Sequence, residues 1–151
     1  MSGHIATGGC QCGAVRYRIT GPLFDAHICH CRMCQKASGN MFAALVGLKK
    51  SDITWLHGEP AVFRSSSIVS RGFCGKCGTP LTFAYDHTVH MNVSIGSLDR
   101  PVDVQPEVQF GIEGRLPAFG TLHTLPGSRT EDDVPPGDMA KLRSLQHPGG
   151  E

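Results

Sequence analysis

Seven cysteines fall in three clusters, Cys10-x-Cys12, Cys29-x-Cys31-x-x-Cys34 and Cys74-x-x-Cys77, and none lies outside them. Thiols two or three positions apart can turn their sulfurs onto one metal ion, a spacing that inert core cysteines do not need. An odd count cannot pair completely within one chain, so disulfides are the weaker reading. Cys10 and Cys12, two apart on an extended segment, face the same way. Cys74 and Cys77 make a knuckle, with Gly75 and Gly78 around it. Joined, the two pairs form a closed four-sulfur site of the structural zinc kind, closing a loop of about 62 residues.

Cys29, Cys31 and Cys34 are then a second set, and three protein ligands with one exchangeable position is the catalytic pattern. His30 lies between two ligands and is expected to point away from them. His27, His87 and His90 could reach the fourth position, since sequence distance says nothing about space, but solvent or a satisfied hydrogen bond is the better reading for each, and the gap is taken as real. Zinc with three thiolates carries net charge −1, which acidifies a bound water poorly and suits an incoming thiol that loses its proton on binding. Arg32 and Lys36 stand close in sequence and are candidates to offset that charge or to contact a thiol substrate.

These clusters must be positioned by short strands. Val15, Tyr17 and Ile19 alternate with Ala14, Arg16 and Arg18 in "AVRYRITG", which predicts one buried face and one polar face. "FDAHI" leads into the three-cysteine cluster, and "MFAALVGL" is an apolar run of buried-strand type. Further strands are predicted over 61–64, 68–73, 81–85, 89–95 and 108–112, with turns at "HGEP", "SLDRPVDVQP" and "GIEGRLP" between them. Helix is scarce: one turn over 32–37, and another over 138–145, where Met139 and Leu142 stand at i, i+3. The last residues, "QHPGGE", are expected to fray. The fold class is mainly β, antiparallel, with metal stapling the loops.

The chain has 151 residues, the length of a single domain over 1–151. No run reaches the roughly 18 apolar residues of a membrane span. "MSGHIATGGCQCG" has neither a basic nor an apolar leader region, so the cytoplasm is the expected location. Net charge is +1, from 14 basic and 13 acidic residues, which provides no electrostatic footprint for nucleic acid or an anionic membrane.

"GGCQCGAVRY", "CHCRMCQKASG", "FCGKCGTPL" and "IGSLDRP", in order over about residues 9–101, resemble the glutathione-dependent formaldehyde-activating enzyme family, which includes centromere-protein-V-like proteins. The resemblance implies a β-tent fold of antiparallel sheets with zinc. It implies Cys10, Cys12, Cys74 and Cys77 as structural zinc ligands, and Cys29, Cys31 and Cys34 as ligands of a catalytic zinc. It further implies a carbon–sulfur lyase or synthase acting on S-(hydroxymethyl)glutathione, with a small-molecule thiol and an aldehyde as partners. Residues 102–151 diverge: Gln109 and Ala118 stand where many relatives carry a histidine and a tryptophan, and the only tryptophan here is Trp55. The alternative is a non-enzymatic zinc module whose close thiols respond to oxidation. A chromatin binder is disfavoured by the charge balance.

Overall fold

The computed structural model describes residues 5–151; the first four residues, where the stretch read for a leader begins, lie outside them. Among the described residues ten strands form two sheets. β1 (Ile5–Gly9), β2 (Arg16–Thr20) and β5 (Ile53–His57) make an antiparallel three-stranded sheet in the order β1-β2-β5. The other seven are β3 (Phe24–Cys29), β4 (Ala43–Lys49), β6 (Ala61–Arg64), β7 (Val69–Phe73), β8 (Pro80–Tyr85), β9 (His90–Ser94) and β10 (Val108–Phe110). They lie in the order β10-β3-β4-β9-β8-β7-β6. The ladders are antiparallel except for β10, which runs parallel to β3 with Phe110 opposite Cys29. The mainly β expectation is met.

Each sheet turns one apolar face inward. Val15, Tyr17 and Ile19 from the small sheet meet Val46, Leu48, Met91 and Val93 from the large one in a single buried cluster. Tyr17 packs edge-on against Trp55, with ring centroids 5.8 Å apart, and its hydroxyl pairs with Ser97 Oγ at 2.7 Å. β4 is central and carries a nearly unbroken apolar sequence, as a strand covered on both faces requires. The opposite face of the large sheet holds a smaller cluster in which Cys34, Ala43 and Leu45 pack with Cys29, Cys31 and Phe83.

Several expectations are corrected. Arg16 does not join a solvated face: it is 2% exposed and lies against Asp99. β1 and β5 were not predicted. The strand predicted over 108–112 stops at Phe110, because Gly111 takes φ +61° and residues 112–114 close a 3₁₀ turn. The helix predicted over 138–145 shrinks to Pro136–Met139. Leu142 and Leu145 find no core and stay 54% and 88% exposed. The end of the chain docks: the His147 N–H donates to the Gln11 carbonyl at 2.8 Å, and the Gly150 N–H to Asp99 at 2.9 Å.

Candidate metal centres

The four-sulfur cluster joins the two sheets. Cys10 follows β1 directly and Cys12 sits in the turn to β2, so a turn brings the two sulfurs to 3.6 Å, in place of the extended segment expected. Cys74 and Cys77 come from the turn between β7 and β8, held by the Cys74 N–H to Thr79 carbonyl bond at 2.9 Å and the Gly78 N–H to Cys74 carbonyl bond at 2.8 Å. All four sulfurs lie within 4.8 Å of one another, with Cys12 and Cys74 at 3.9 Å. A tetrahedral zinc with bonds of about 2.3 Å sets its sulfurs about 3.8 Å apart, so this cluster fits the ion. Backbone N–H groups of Val15, Lys76 and Cys77 point at the sulfurs of Cys10 and Cys74, at 3.2 to 3.5 Å.

The second cluster forms where β3 runs into α1 (Arg32–Ser38). Cys29 ends the strand, and Cys31 caps the helix by accepting from the Cys34 N–H at 3.4 Å. One helical turn brings Cys34 back over Cys31, and Gly39, left-handed at φ 65°, ends the helix. The three sulfurs lie within 4.8 Å of one another, Cys34 being buried and the other two half-buried.

Protons alone serve both clusters badly. Burial and the thiols of Cys34 and Cys31 push Cys29 up to about 12, against the Cys31 N–H, which lowers it. Burial also works against ionised Cys31 but is outweighed by the Cys34 N–H and the neighbouring thiols, so its pKa is lowered. In the other cluster the Ala14 N–H lowers Cys12, yet burial and the three neighbouring sulfurs carry it up to about 11. Burial opposes ionised Cys77, while Thr79 and Cys12 bring it down to about 5. Thiolates packed this closely need a cation to be charged together.

No histidine among the described residues joins either cluster. His30 is fully buried and faces away from the sulfurs' cluster partners: its Nε2 meets Gln109 Oε1 at 2.9 Å, and its ring stands edge-on to Phe119 at 4.7 Å. His27 bonds the Asp25 carbonyl through Nδ1 and packs against Phe110. His87 lies beside Tyr85, and His90 beside Phe24. Ala118 lies in the turn at 117–124 that supplies Phe119.

Arg32 and Lys36 both lie on the exposed side of α1, Arg32 bonding to Gln35 Oε1 at 3.1 Å. The cation that touches a sulfur is Arg71 on β7, which the sequence reading missed. It is 6% exposed, and its Nη2 donates to Cys34 Sγ at 3.4 Å. The guanidinium lies 4.8 Å over the Phe83 ring, and Nε donates to Ser65 Oγ at 2.8 Å. An arginine inside the strand pattern "IVSRGF" was the available signal.

The C-terminal part of the chain closes over this cluster. Gln35, buried, donates through Nε2 to the carbonyls of His30 and Gly114, both at 2.9 Å. Gly111 packs so closely on Cys31 that an added Cβ would lie 2.7 Å from its backbone nitrogen. A cleft of about 670 Å³ lined by Ala26, Val46 and Asp99 opens on the other face of the large sheet, away from the cysteines.

Residues 5–113 match the profile of the family described as glutathione-dependent formaldehyde-activating enzyme. Over 85 residues the chain is 29% identical to a Halomonas elongata protein named putative glutathione-dependent formaldehyde-activating enzyme, a match covering 51% of this chain and 54% of that protein. Over 78 residues it is 31% identical to an uncharacterized lyase of Schizosaccharomyces pombe, covering 52% and 56%. The chain thus spans just over half the length of these curated relatives. A solved Rhodobacter sphaeroides protein shares the fold with a TM-score of 0.55 at 22% identity, over 69% of this chain and 98% of that one.

Proposed function

The chain belongs to the glutathione-dependent formaldehyde-activating enzyme family, and from that premise we propose that it is a zinc-dependent carbon–sulfur lyase or synthase, joining a glutathione-like thiol to a small aldehyde at the three-cysteine cluster. The observation that carries this reading is the convergence of Cys29, Cys31 and Cys34, with no histidine or carboxylate among the described residues completing the set. Cys10, Cys12, Cys74 and Cys77 would hold a structural zinc, and Cys29, Cys31 and Cys34 a second zinc with an exchangeable position. When bound there, that zinc supplies a Lewis-acidic position at which a substrate thiol can give up its proton.

The reaction is an addition. A sulfur–carbon bond forms, the carbonyl π bond breaks, and the proton leaving sulfur ends on the new hydroxyl; the lyase direction reverses each change. The chain contributes orientation. Cys31 is fixed by the Cys34 N–H and Cys34 by Arg71, so two of the three donors are held before any substrate arrives. Phe83, Leu45 and the buried Arg71 close the inner side of the cluster, which leaves the half-buried side of Cys29 and Cys31 for entry. All seven cysteines are unpaired thiols, which suits a reducing compartment such as the cytoplasm.

The test is exchange between glutathione and ¹³C-formaldehyde, followed by NMR on zinc-loaded protein. The wild type is expected to speed exchange above the uncatalysed rate, and Cys31→Ser or Cys34→Ser to abolish that gain. A wild type that holds two zincs and leaves the exchange rate unchanged would refute the enzyme and favour the non-enzymatic module.

A further inference from the structure

The described residues contain two buried arginines, and their partners differ. Arg16 has a carboxylate, Asp99, at 2.5 Å. Among the described residues Arg71 has no carboxylate within 4 Å; its side-chain partners there are Ser65, the face of Phe83 and Cys34 Sγ. A guanidinium stays charged at any ordinary pH, and a buried charge without a counter-ion is strongly disfavoured. The sulfur cluster is the anion that this charge faces.

Its placement is constrained from three sides. Arg71 stands opposite Phe83 across the β7–β8 ladder, so the ring lies beneath the guanidinium. Ser65 fixes Nε on one side, which turns Nη2 toward Cys34. Arg32 and Lys36, which share α1 with Cys34, stay on its exposed side. The positive charge at this cluster comes from a strand 37 positions away.

We propose that Arg71 is the positioning residue that lets the three-cysteine centre accept a fourth, anionic sulfur, by holding Cys34 and returning one positive charge to the centre. The inference rests on the proposed function. A divalent ion with three thiolates stands at −1, and an entering thiolate takes it to −2, whereas a neutral ligand leaves it unchanged. A fixed guanidinium on one resident sulfur therefore favours an anionic ligand over a neutral one of similar size. Simple packing of α1 onto the sheet would not distinguish between those two ligands.

Cobalt(II) in place of zinc reports both ligands, because sulfur donors add an intense charge-transfer absorption. Wild type, Arg71→Gln and Arg71→Lys are loaded with cobalt and titrated with 2-mercaptoethanol, whose only charge is its sulfur, and separately with imidazole. The four-cysteine centre, saturated in all three, serves as the internal check on folding. Arg71→Gln is expected to weaken thiol binding on the order of tenfold or more while imidazole binding moves less than about twofold. Arg71→Lys, which keeps the charge, is expected to recover most of the thiol affinity. Equal losses for both ligands in Arg71→Gln, or no loss, would overturn the inference. If Arg71→Gln sheds cobalt from the three-cysteine centre, Arg71→Lys decides: a thiol-to-imidazole ratio near the wild type supports the role, and a tenfold fall refutes it. A wild type that takes imidazole but no thiol sinks the proposed function itself, and this inference with it, before any variant is compared.

Discussion

Arg71 and Cys74 stand three residues apart on one stretch of chain and serve different sulfur clusters. β7 turns Arg71 across the sheet to Cys34, then ends in the knuckle where Cys74 joins Cys10, Cys12 and Cys77. The four-cysteine cluster fixes the end of the strand that carries the cation of the three-cysteine cluster. The two clusters are therefore linked through β7, and displacement of the knuckle is expected to reach Cys34 through Arg71.

Cys74→Ser should accordingly cost folding, and Cys31→Ser should not. Cys74 is 1% exposed and holds the junction between the sheets, so losing its thiolate removes much of a metal-binding free energy that reaches about 10 kcal/mol in small zinc domains. Cys31 is half-buried at a helix cap, where serine can still accept the Cys34 N–H. Zinc per chain and thermal unfolding decide the matter. The expected result is one zinc and a near-normal transition for Cys31→Ser, against little folded protein for Cys74→Ser. Equal destabilisation would contradict the division of roles.

Gln35→Leu should loosen the C-terminal segment from the three-cysteine loop. The substitution leaves the buried His30 carbonyl and the half-buried Gly114 carbonyl without their shared donor, at about 1–3 kcal/mol for a stranded buried group. For a chain of this size that is a fall in Tm of roughly 3–10 °C. Trypsin should also cut faster after Arg115, which follows the 3₁₀ turn tied down by Gln35. An unchanged Tm and unchanged cleavage at Arg115 would show that the tie carries little.

The cysteine clusters were legible in the sequence because sulfurs that converge within 4.8 Å of one another do so here largely from local spacing, and local spacing is what a sequence displays. Val15, Tyr17 and Ile19 were legible for a similar reason, the two-residue period of a half-buried strand. Arg16 misled because period alone assigns it to solvent, and the carboxylate that retains it lies 83 positions away in Asp99. Arg71 was missed through the same kind of distance, while Arg32 and Lys36 drew notice by proximity in sequence. The helix expected over 138–145 rested on Met139 and Leu142 sharing a face, but only Met139 is partly covered and Leu142 stays exposed.

Gly111→Ala should release metal from the three-cysteine centre and spare the other. The new methyl would lie 2.7 Å from Cys31 N and 2.9 Å from its Cβ, on a backbone held at φ +61°. Cys31 is the neighbour that must give way, and its sulfur moves with it. After mild chelation the variant is expected to keep one zinc where the wild type keeps more. Gly120→Ala, which meets nothing within 4 Å, is the matched control and should behave as wild type. Equal zinc retention in the two variants would show that the cluster absorbs the displacement.

Asp99 stays ionised further into acid than an ordinary carboxylate. Burial opposes its charge, but hydrogen bonds from Arg16, Thr7 and the Gly150 N–H outweigh that and bring it down to about 2 from the usual 3.8. Between those values the unfolded chain binds the proton and the folded chain does not, so acid favours unfolding there. The contribution is fully present above about pH 4 and is lost as pH falls through about 2, a span of about 2 kcal/mol. Asp99→Asn leaves Arg16 buried beside a neutral amide, at a cost of about 3–5 kcal/mol near neutrality. The gap in stability between wild type and Asp99→Asn should therefore be flat from pH 8 to 5 and narrow only below about pH 4. Acid release of metal is common to both proteins and cancels in the difference. A gap that began to close at pH 6 would mean that Asp99 is not held as a carboxylate by Arg16, and that another group sets the acid limit of the fold.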